Sequence, residues 1–301
     1  MTATASALPA PAADQVLVRV HASSVNPIDL QLASGALARR VPQRPPATLG
    51  FDLAGVVVGT GARVTRFAIG DRVYGRTDAK TGGAHARHVL VSAHVIDHVP
   101  ATLSLEEAAA LPLTAMTAIQ GMRLLAVRPG DRVLVNGAAG GVGVAAVQVA
   151  RAMGGEVTAV ARMTAAERLR QIGASTVVDR GAMNEPARLA PFDAVFDATA
   201  RPWDAMRPLI GPRGRFASTG ISASLAMHAT LGRLWSRQRA HFIVSRADGA
   251  LMSSVSMMVS RGELVPVIDS VFSLERISDA FRHLASGGVT GKVIVTMDSG
   301  T

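Results

Sequence analysis

A chain of 301 residues, 49% hydrophobic and 18% charged, carries enough apolar material for one large or two ordinary domains and too few charges for a disordered one. The absence of cysteine excludes a disulfide framework, a thiolate nucleophile and any metal site built on cysteine ligands, leaving only histidine or carboxylate sites open. The 31 basic against 22 acidic side chains give a net charge of +9, nearly all of it arginine, spread from Arg19 to Arg282 rather than gathered into the stripe that a nucleic-acid footprint requires.

The densest arginine group is Arg233, Arg237, Arg239 and Arg246, interleaved with Trp235 and Phe242, which reads as a solvated face or a subunit contact, with nucleic-acid binding as the alternative. Apolar runs such as Val142 to Ala150 fall short of the ~18 to 20 residues of a membrane span. The first fifteen residues lack a basic start with an apolar core, so the chain reads as cytoplasmic.

In chain order, short strands are expected at Gln15 to His21, Ala54 to Gly59, Arg72 to Tyr74 and Ala86 to Val91. Turns at Pro45-Pro46, Ala68 to Asp71 and Thr81 to Gly83 break them into a small irregular β domain. Ser104-Leu-Glu-Glu107 is a capping box opening an alanine-rich helix, interrupted by Pro112 and resuming from Thr114 to Leu125, which sets a boundary near residue 104. Strands then alternate with helices: Val133 to Asn136, helix 141–153, Val157 to Val160, helix 165–172, Val177 to Asp179, Ala194 to Asp197, Arg215 to Thr219, and Phe242 to Ser245 before helix 249–261. Val142, Ala145, Ala146, Val149, Ala150 and Met153 share one face of helix 141–153, the spacing for packing on a sheet. Six strands with helical crossovers predict an α/β fold with a doubly wound parallel sheet. The remainder, 263–301, returns to strand at Ile268 to Phe272 and Lys292 to Thr296 around a helix at 276–285, and is expected to rejoin the first domain.

Chemistry concentrates in Val133-Leu-Val-Asn-Gly-Ala-Ala-Gly-Gly-Val-Gly143, an apolar strand running through a glycine-rich turn into a helix. Small residues there let backbone N–H groups approach a pyrophosphate whose charge the helix N-terminus offsets, the alternative being a purely structural tight turn. Ala138 replaces the first glycine of the usual G-x-G-x-x-G, leaving Gly140 and Gly143 in phase, with Ala139, Gly141 and Val142 completing the loop. The acid that binds the ribose hydroxyl of NAD belongs about 20 residues further on, but the second strand ends Ala159-Val-Ala-Arg162. Arg162 is read either as the grip on the 2′-phosphate of NADP or as an ordinary helix-entry residue, and Arg180, after the third strand, is a second candidate near the adenine. Thr164-x-x-Glu167 is expected to cap the next helix.

Val20-His-Ala-Ser-Ser-Val-Asn-Pro-Ile-Asp29, Leu49-Gly-Phe-Asp-Leu-Ala-Gly55, Phe67-Ala-Ile-Gly-Asp-Arg-Val-Tyr-Gly75, the glycine loop and Thr290-Gly-Lys-Val-Ile-Val295 together resemble the medium-chain dehydrogenase/reductase superfamily. Within it, the chain is most similar to the zinc-free quinone oxidoreductase and zeta-crystallin branch, near the enone and enoyl reductases. The resemblance implies a GroES-like β-rich catalytic domain from residues 1–104 and 263–301, a Rossmann domain at 105–262, NADPH as cofactor, and a homodimer or homotetramer. By position it implies Thr114 and Thr117 beside the nicotinamide, Gly140 to Gly143 on the pyrophosphate, Arg162 on the 2′-phosphate, Ser218, Thr219 and Gly220 near the nicotinamide ribose, and Lys292 by the cofactor. Zinc-dependent cousins place Gly-His-Glu where this chain has Gly50-Phe-Asp52, so no metal is expected. The activity implied is hydride delivery to a quinone or an α,β-unsaturated carbonyl, the alternative being a non-catalytic, RNA-binding or crystallin-like protein stabilised by NADPH.

Asn26 and Asp29 are candidates for a polar contact to the substrate carbonyl, or else hold their own loop. Relatives usually begin with an extra pair of strands before the segment matching Gln15 to Val20, so strand Gln15 to His21 is expected to be a sheet edge or to pair with another subunit. Several relatives carry a pocket tyrosine soon after the Asn-Pro-x-Asp motif, whereas the single tyrosine here is Tyr74. His85, His88, His94 and His98 read either as a metal cluster or as sheet residues. Met227, Met252, Met257 and Met258 read as packing, the alternative being that one of them lines a substrate pocket.

Overall fold

The computed structural model of the chain describes residues 10–36, 48–77, 82–189, 191–232 and 236–297. The expected Pro45-Pro46 turn, Thr81, Arg233 and Trp235 lie outside the described residues. Two compact units form: residues 1–113, 246–262 and 266–301 make the first, and 114–245 with 263–265 the second. The division differs from the expected one, because residues 105–113 and 246–262 pack with the first unit.

The first unit is built on a mostly antiparallel sheet in the order β12-β13-β1-β2-β3-β5, with β4 also paired to β1. Its strands are β1 (Gln15–Val25), β2 (Asp52–Thr60), β3 (Arg72–Arg76), β4 (His88–Ser92), β5 (Ile96–His98), β12 (Ile268–Ser273) and β13 (Lys292–Thr296). The expectation that the first strand is an edge is overturned. One side of β1 pairs with β2 along its length, while the other takes β4 over residues 15–19 and β13 over residues 22–25. Strands from later in the chain occupy that side. Val16, Val18 and Val20 point into the core with Val73, Val91 and Val293. Helix α9 (Ile277–Ser286) adds Ile277, Ala280 and Phe281, whose i, i+3, i+4 spacing makes one apolar stripe.

Helix α1 (Pro27–Ala33) starts on proline, and Asp29 reaches back to accept the Asn26 backbone N–H at 2.8 Å. Helix α2 (Leu105–Ala109) has the expected capping box, with Ser104 and Glu107 exchanging hydrogen bonds of 3.1 and 2.8 Å. Helix α8 (Gly249–Ser260) is tied to the sheet through a half-buried relay. The Tyr74 hydroxyl donates to Ser256 Oγ at 2.9 Å, and Ser256 donates to Asp97 at 2.7 Å, itself paired with Arg66. Burial pushes the Tyr74 phenol above its usual pKa, so it stays a donor. Met252 is buried in this helix, whereas Met257 and Met227 are half-exposed, which corrects the packing role expected of them.

The second unit is a six-stranded, all-parallel sheet in the order β11-β10-β9-β6-β7-β8. Its strands are β6 (Arg132–Asn136), β7 (Glu156–Ala161), β8 (Thr176–Asp179), β9 (Phe192–Asp197), β10 (Ile210–Ser218) and β11 (Arg239–Phe242). Numbered within the unit this is 3-2-1-4-5-6 read from β8, the doubly wound order, with its switch point between β6 and β9. The last strand lies three residues earlier than expected, since Ala240 enters the core and Phe242 ends the ladder opposite Ser218. Helix α4 (Gly141–Ala152) is buried on all sides from Gly143 to Ala150, not on one face. Its Gln148 exchanges hydrogen bonds of 3.0 and 2.8 Å with the Val265 backbone, so the 263–265 segment covers the side turned from the sheet. Thr164 caps nothing: it sits inside a 3-10 turn at Met163–Ala165, and helix α5 (Ala166–Gln171) starts without a side-chain cap. No helix among the described residues is long and apolar enough to cross a membrane.

Candidate active site

In the second unit the site grows from the carboxyl ends of the strands. Val133, Leu134 and Val135 are fully buried because β6 lies mid-sheet between β7 and β9. The chain then turns at Gly137, whose φ of +75° is left-handed, which explains why Ala138 is tolerated where the fingerprint has glycine. A Cβ at Gly143 would lie 2.1 Å from Gly137 O and 2.6 Å from Ala138 Cα, so the loop and helix close on each other only without one. Gly140 differs: a Cβ there would meet nothing nearer than Gly137 O at 3.5 Å, so its open side faces outward. The N–H groups of Gly141, Val142 and Gly143, in the first turn of α4, have no carbonyl four residues back within the helix and are available to an anion.

Arg162 and Arg180 immediately follow the paired residues Ala161 and Asp179 at the ends of β7 and β8, so they leave adjacent strands at the same level. Among the described residues neither guanidinium has a side-chain partner.

Asp197, which sequence reasoning missed, is fully buried at the end of β9. Its Oδ1 accepts Asn136 Nδ2 at 2.9 Å, Thr199 Oγ1 at 2.7 Å and Thr199 N at 3.1 Å; its Oδ2 accepts Ser218 Oγ at 2.9 Å and Arg201 N at 2.8 Å. Ser218 in turn accepts Gly220 N at 3.1 Å, and Thr219 N donates to Asp197 O at 3.0 Å. The expected Ser218, Thr219 and Gly220 are thus brought to the glycine loop's end of the sheet. The available signal was an acid ending an apolar strand, Phe192-Asp-Ala-Val-Phe-Asp197. Thr114 and Thr117 are buried on α3 (Pro112–Leu125), and Thr117 Oγ1 donates to Ser245 Oγ at 2.8 Å.

In the first unit Asn26, Asp29 and Lys292 are all buried in one polar cluster whose hub, Asp52, was also missed. Asp52 accepts Ser24 Oγ at 2.5 Å, Asn26 Nδ2 at 2.9 Å, Leu113 N at 2.7 Å and Lys292 Nζ at 3.3 Å, while Lys292 donates to Asn26 Oδ1 at 2.5 Å. Asp29 spends one oxygen on Asn26 N and the other on Gly50 N at 3.0 Å. Burial raises its pKa to about 6 against the opposing pull of those two amides and Lys292. Ser23 donates to Asp52 O at 2.7 Å, which leaves its oxygen to accept from His85 Nδ1 at 3.1 Å, and burial holds His85 neutral with its pKa lowered to about 4.

Zinc does not fit this cluster. Phe51 occupies the expected ligand position beneath the Arg76 guanidinium, Asp52 is committed to four donors, and the sequence offers no thiolate. Among the described residues no three His, Cys, Asp or Glu side chains converge as metal ligands, His85 being buried against Phe281 and His98 lying beside Phe67.

Residues 12–101 match the alcohol dehydrogenase GroES-like domain, and residues 172–295 match the family described as zinc-binding dehydrogenase. The chain is 30% identical to the mitochondrial NAD(P)H oxidoreductase RTN4IP1 of Bos taurus, over 94% of this chain and 82% of that one. It is also 30% identical to 2-methylene-furan-3-one reductase of Solanum lycopersicum, over 94% and 71%. The solved quinone oxidoreductase of Coxiella burnetii superposes with a TM-score of 0.85 at 27% identity, covering 97% of this chain and 93% of that one.

Proposed function

Because this chain is an oxidoreductase belonging to the quinone-oxidoreductase branch of the medium-chain dehydrogenase/reductase family, we propose that it uses NADPH to reduce a quinone or an α,β-unsaturated carbonyl without a metal ion. The observation that carries the choice of cofactor is the pair of guanidiniums, Arg162 and Arg180, that follow the ends of β7 and β8 and have no side-chain partner among the described residues, where an NAD site has an acid after the second strand. When bound, the cofactor supplies the hydride, and a proton from water completes the two-electron reduction. The amides of residues 141–143 take the pyrophosphate, Arg162 grips the 2′-phosphate with Arg180 near the adenine, and Thr114, Thr117 and Ser218 to Gly220 border the nicotinamide riboside. Asn26, Asp29 and Lys292 act by holding their loop and each other, since their polar atoms are already engaged inside the first unit. A homodimer belongs to the same proposal.

The test is a fluorescence titration of NADPH and NADH against the wild type and Arg162→Ala, with turnover measured on a panel of quinones and enones. A charge-assisted hydrogen bond is worth about 1.5 to 3 kcal/mol, so the substitution is expected to weaken NADPH roughly 10- to 100-fold and leave NADH nearly unchanged. A wild type that prefers NADH, or equal losses for both, refutes the NADPH assignment. Tight binding with no turnover on any acceptor refutes the enzymatic one.

A further inference from the structure

Asn136, Asp197 and Ser218 stand opposite one another in the ladder, at the ends of β6, β9 and β10, so their side chains form a row across the carboxyl edge of the sheet. The bond from Asn136 to Asp197 crosses the switch point itself. We propose that Asp197 is a positioning residue of the dinucleotide site: it sets the spacing of the three loops leaving these strands, and with it the affinity for the part common to both dinucleotides. This rests on the reading of the second unit as a dinucleotide-binding site.

A buried carboxylate is costly unless donors surround it, and here five neutral donors do so, contributed by the ends of β6 and β10 and by the turn that follows β9. The turn is wound tightly around the acid. The amides of Thr199 and Arg201 both point at it, and Ala200 between them is held at φ +58°, a conformation a non-glycine residue keeps only when its surroundings impose it. Its neighbours on both sides lack side chains where they meet it. A Cβ on Gly137 would lie 2.5 Å from Thr199 Cγ2, and one on Gly220 2.2 Å from Ala200 Cβ. The residues that the carboxylate fixes are therefore those against which the glycine loop and the 218–220 loop abut, so its position passes to both by direct contact.

Asp197→Asn keeps the shape but turns an amide NH2 toward at least one backbone or side-chain donor, which forces one loop outward. Thr199→Val is the gentler variant, because it keeps the methyl that touches Gly137 and deletes only the hydroxyl between Asn136 and Asp197. With folding verified by circular dichroism and the temperature set well below each melting point, Asp197→Asn is expected to weaken NADPH and NADH alike, roughly 10- to 100-fold, and Thr199→Val both by roughly 3- to 10-fold. The preference between cofactors stays as in the wild type, unlike the change expected of Arg162→Ala. A role confined to stability would lower the melting point and leave the affinities of folded protein unmoved, and that result for Thr199→Val overturns the proposal even if Asp197→Asn does not fold. A wild type that binds neither dinucleotide defeats the underlying reading instead.

Discussion

Glycine is needed at residues 140 and 143 for different reasons, and substitution separates them. Gly143→Ala drives a methyl into the Gly137 carbonyl and the Ala138 backbone, neither of which can yield, so it is expected to destabilise the second unit by about 2 kcal/mol or more, read as a lower melting point without ligand. Gly140→Ala meets only ordinary contact at 3.5 Å and has an ordinary φ of −71°, so its melting point should stay within about 0.5 kcal/mol of wild type while dinucleotide affinity falls roughly tenfold. Equal melting losses for the two would contradict this division. Buried titratable groups in the first unit make a second residue-scale prediction. Asp29, with its pKa raised from 3.8 to about 6, keeps its proton longer when folded; the stability this gives is complete below pH 3.8 and is lost as pH rises through 6. His85, lowered from 6.5 to about 4, behaves oppositely, its contribution being complete above pH 6.5 and lost as pH falls through 4. Each is worth about 3 kcal/mol at 1.36 kcal/mol per pH unit, and over pH 4 to 6 they nearly cancel. Denaturant titrations between those pH values should therefore show stability rising with pH more steeply than wild type in Asp29→Asn, and falling relative to wild type in His85→Asn. Parallel slopes in all three proteins would refute the assignment.

Helix α8 shows how an element finds its place through polar contacts that its apolar pattern does not reveal. Ser256→Ala strands both the Tyr74 hydroxyl and an Asp97 oxygen, whereas Tyr74→Phe removes the donor cleanly. The serine variant is therefore expected to cost about 2 kcal/mol and the tyrosine variant about 1, with the double variant less costly than their sum by about 1 kcal/mol. Strict additivity in chemical denaturation would show that the relay does not couple the helix to the sheet. The same helix explains what the sequence could not tell: Leu251, Met252, Val255 and Val259 are apolar at helical spacing, which says that a face is buried but not on which sheet. The neighbours of β1 were hidden likewise, since its buried valines fix a face and leave the partners on either edge unstated. Legible features were those written in adjacent residues: the Ser104 and Glu107 box, the β6-loop-α4 unit with its glycines, and the succession of six parallel strands. Asp52 and Asp197 escaped because an acid at either end of an apolar strand, opening β2 or closing β9, looks like a solvent-facing end until the donors from distant strands are seen around it. Thr164 failed for the converse reason, a capping pattern in the letters without the extended backbone a cap requires.

At the scale of the whole molecule, the charge of +9 comes from arginines spread along the chain, and assembly is the property most open to test. Strand β11 ends the six-stranded sheet with β10 as its one neighbour among the described residues, and beside it Phe242 and Val244 are 37% and 49% exposed. The opposite edge, β8, closes on Asp179, which bonds the Gly181 amide, and is followed by the exposed Arg180, a charged ending that discourages further pairing. An open edge flanked by exposed apolar side chains favours pairing with a second copy, and two identical edges meet about a two-fold axis. Under that symmetry any residue near the axis faces its own copy or a close neighbour of it. Phe242→Glu would then set two carboxylates together where two phenyl rings had been, replacing buried apolar area by like-charge repulsion. Sedimentation at micromolar concentration is expected to give a dimer for the wild type and a monomer for Phe242→Glu, with partial recovery of the dimer in high salt as the repulsion is screened. A monomeric wild type, or a variant that remains dimeric, would remove β11 as the contact.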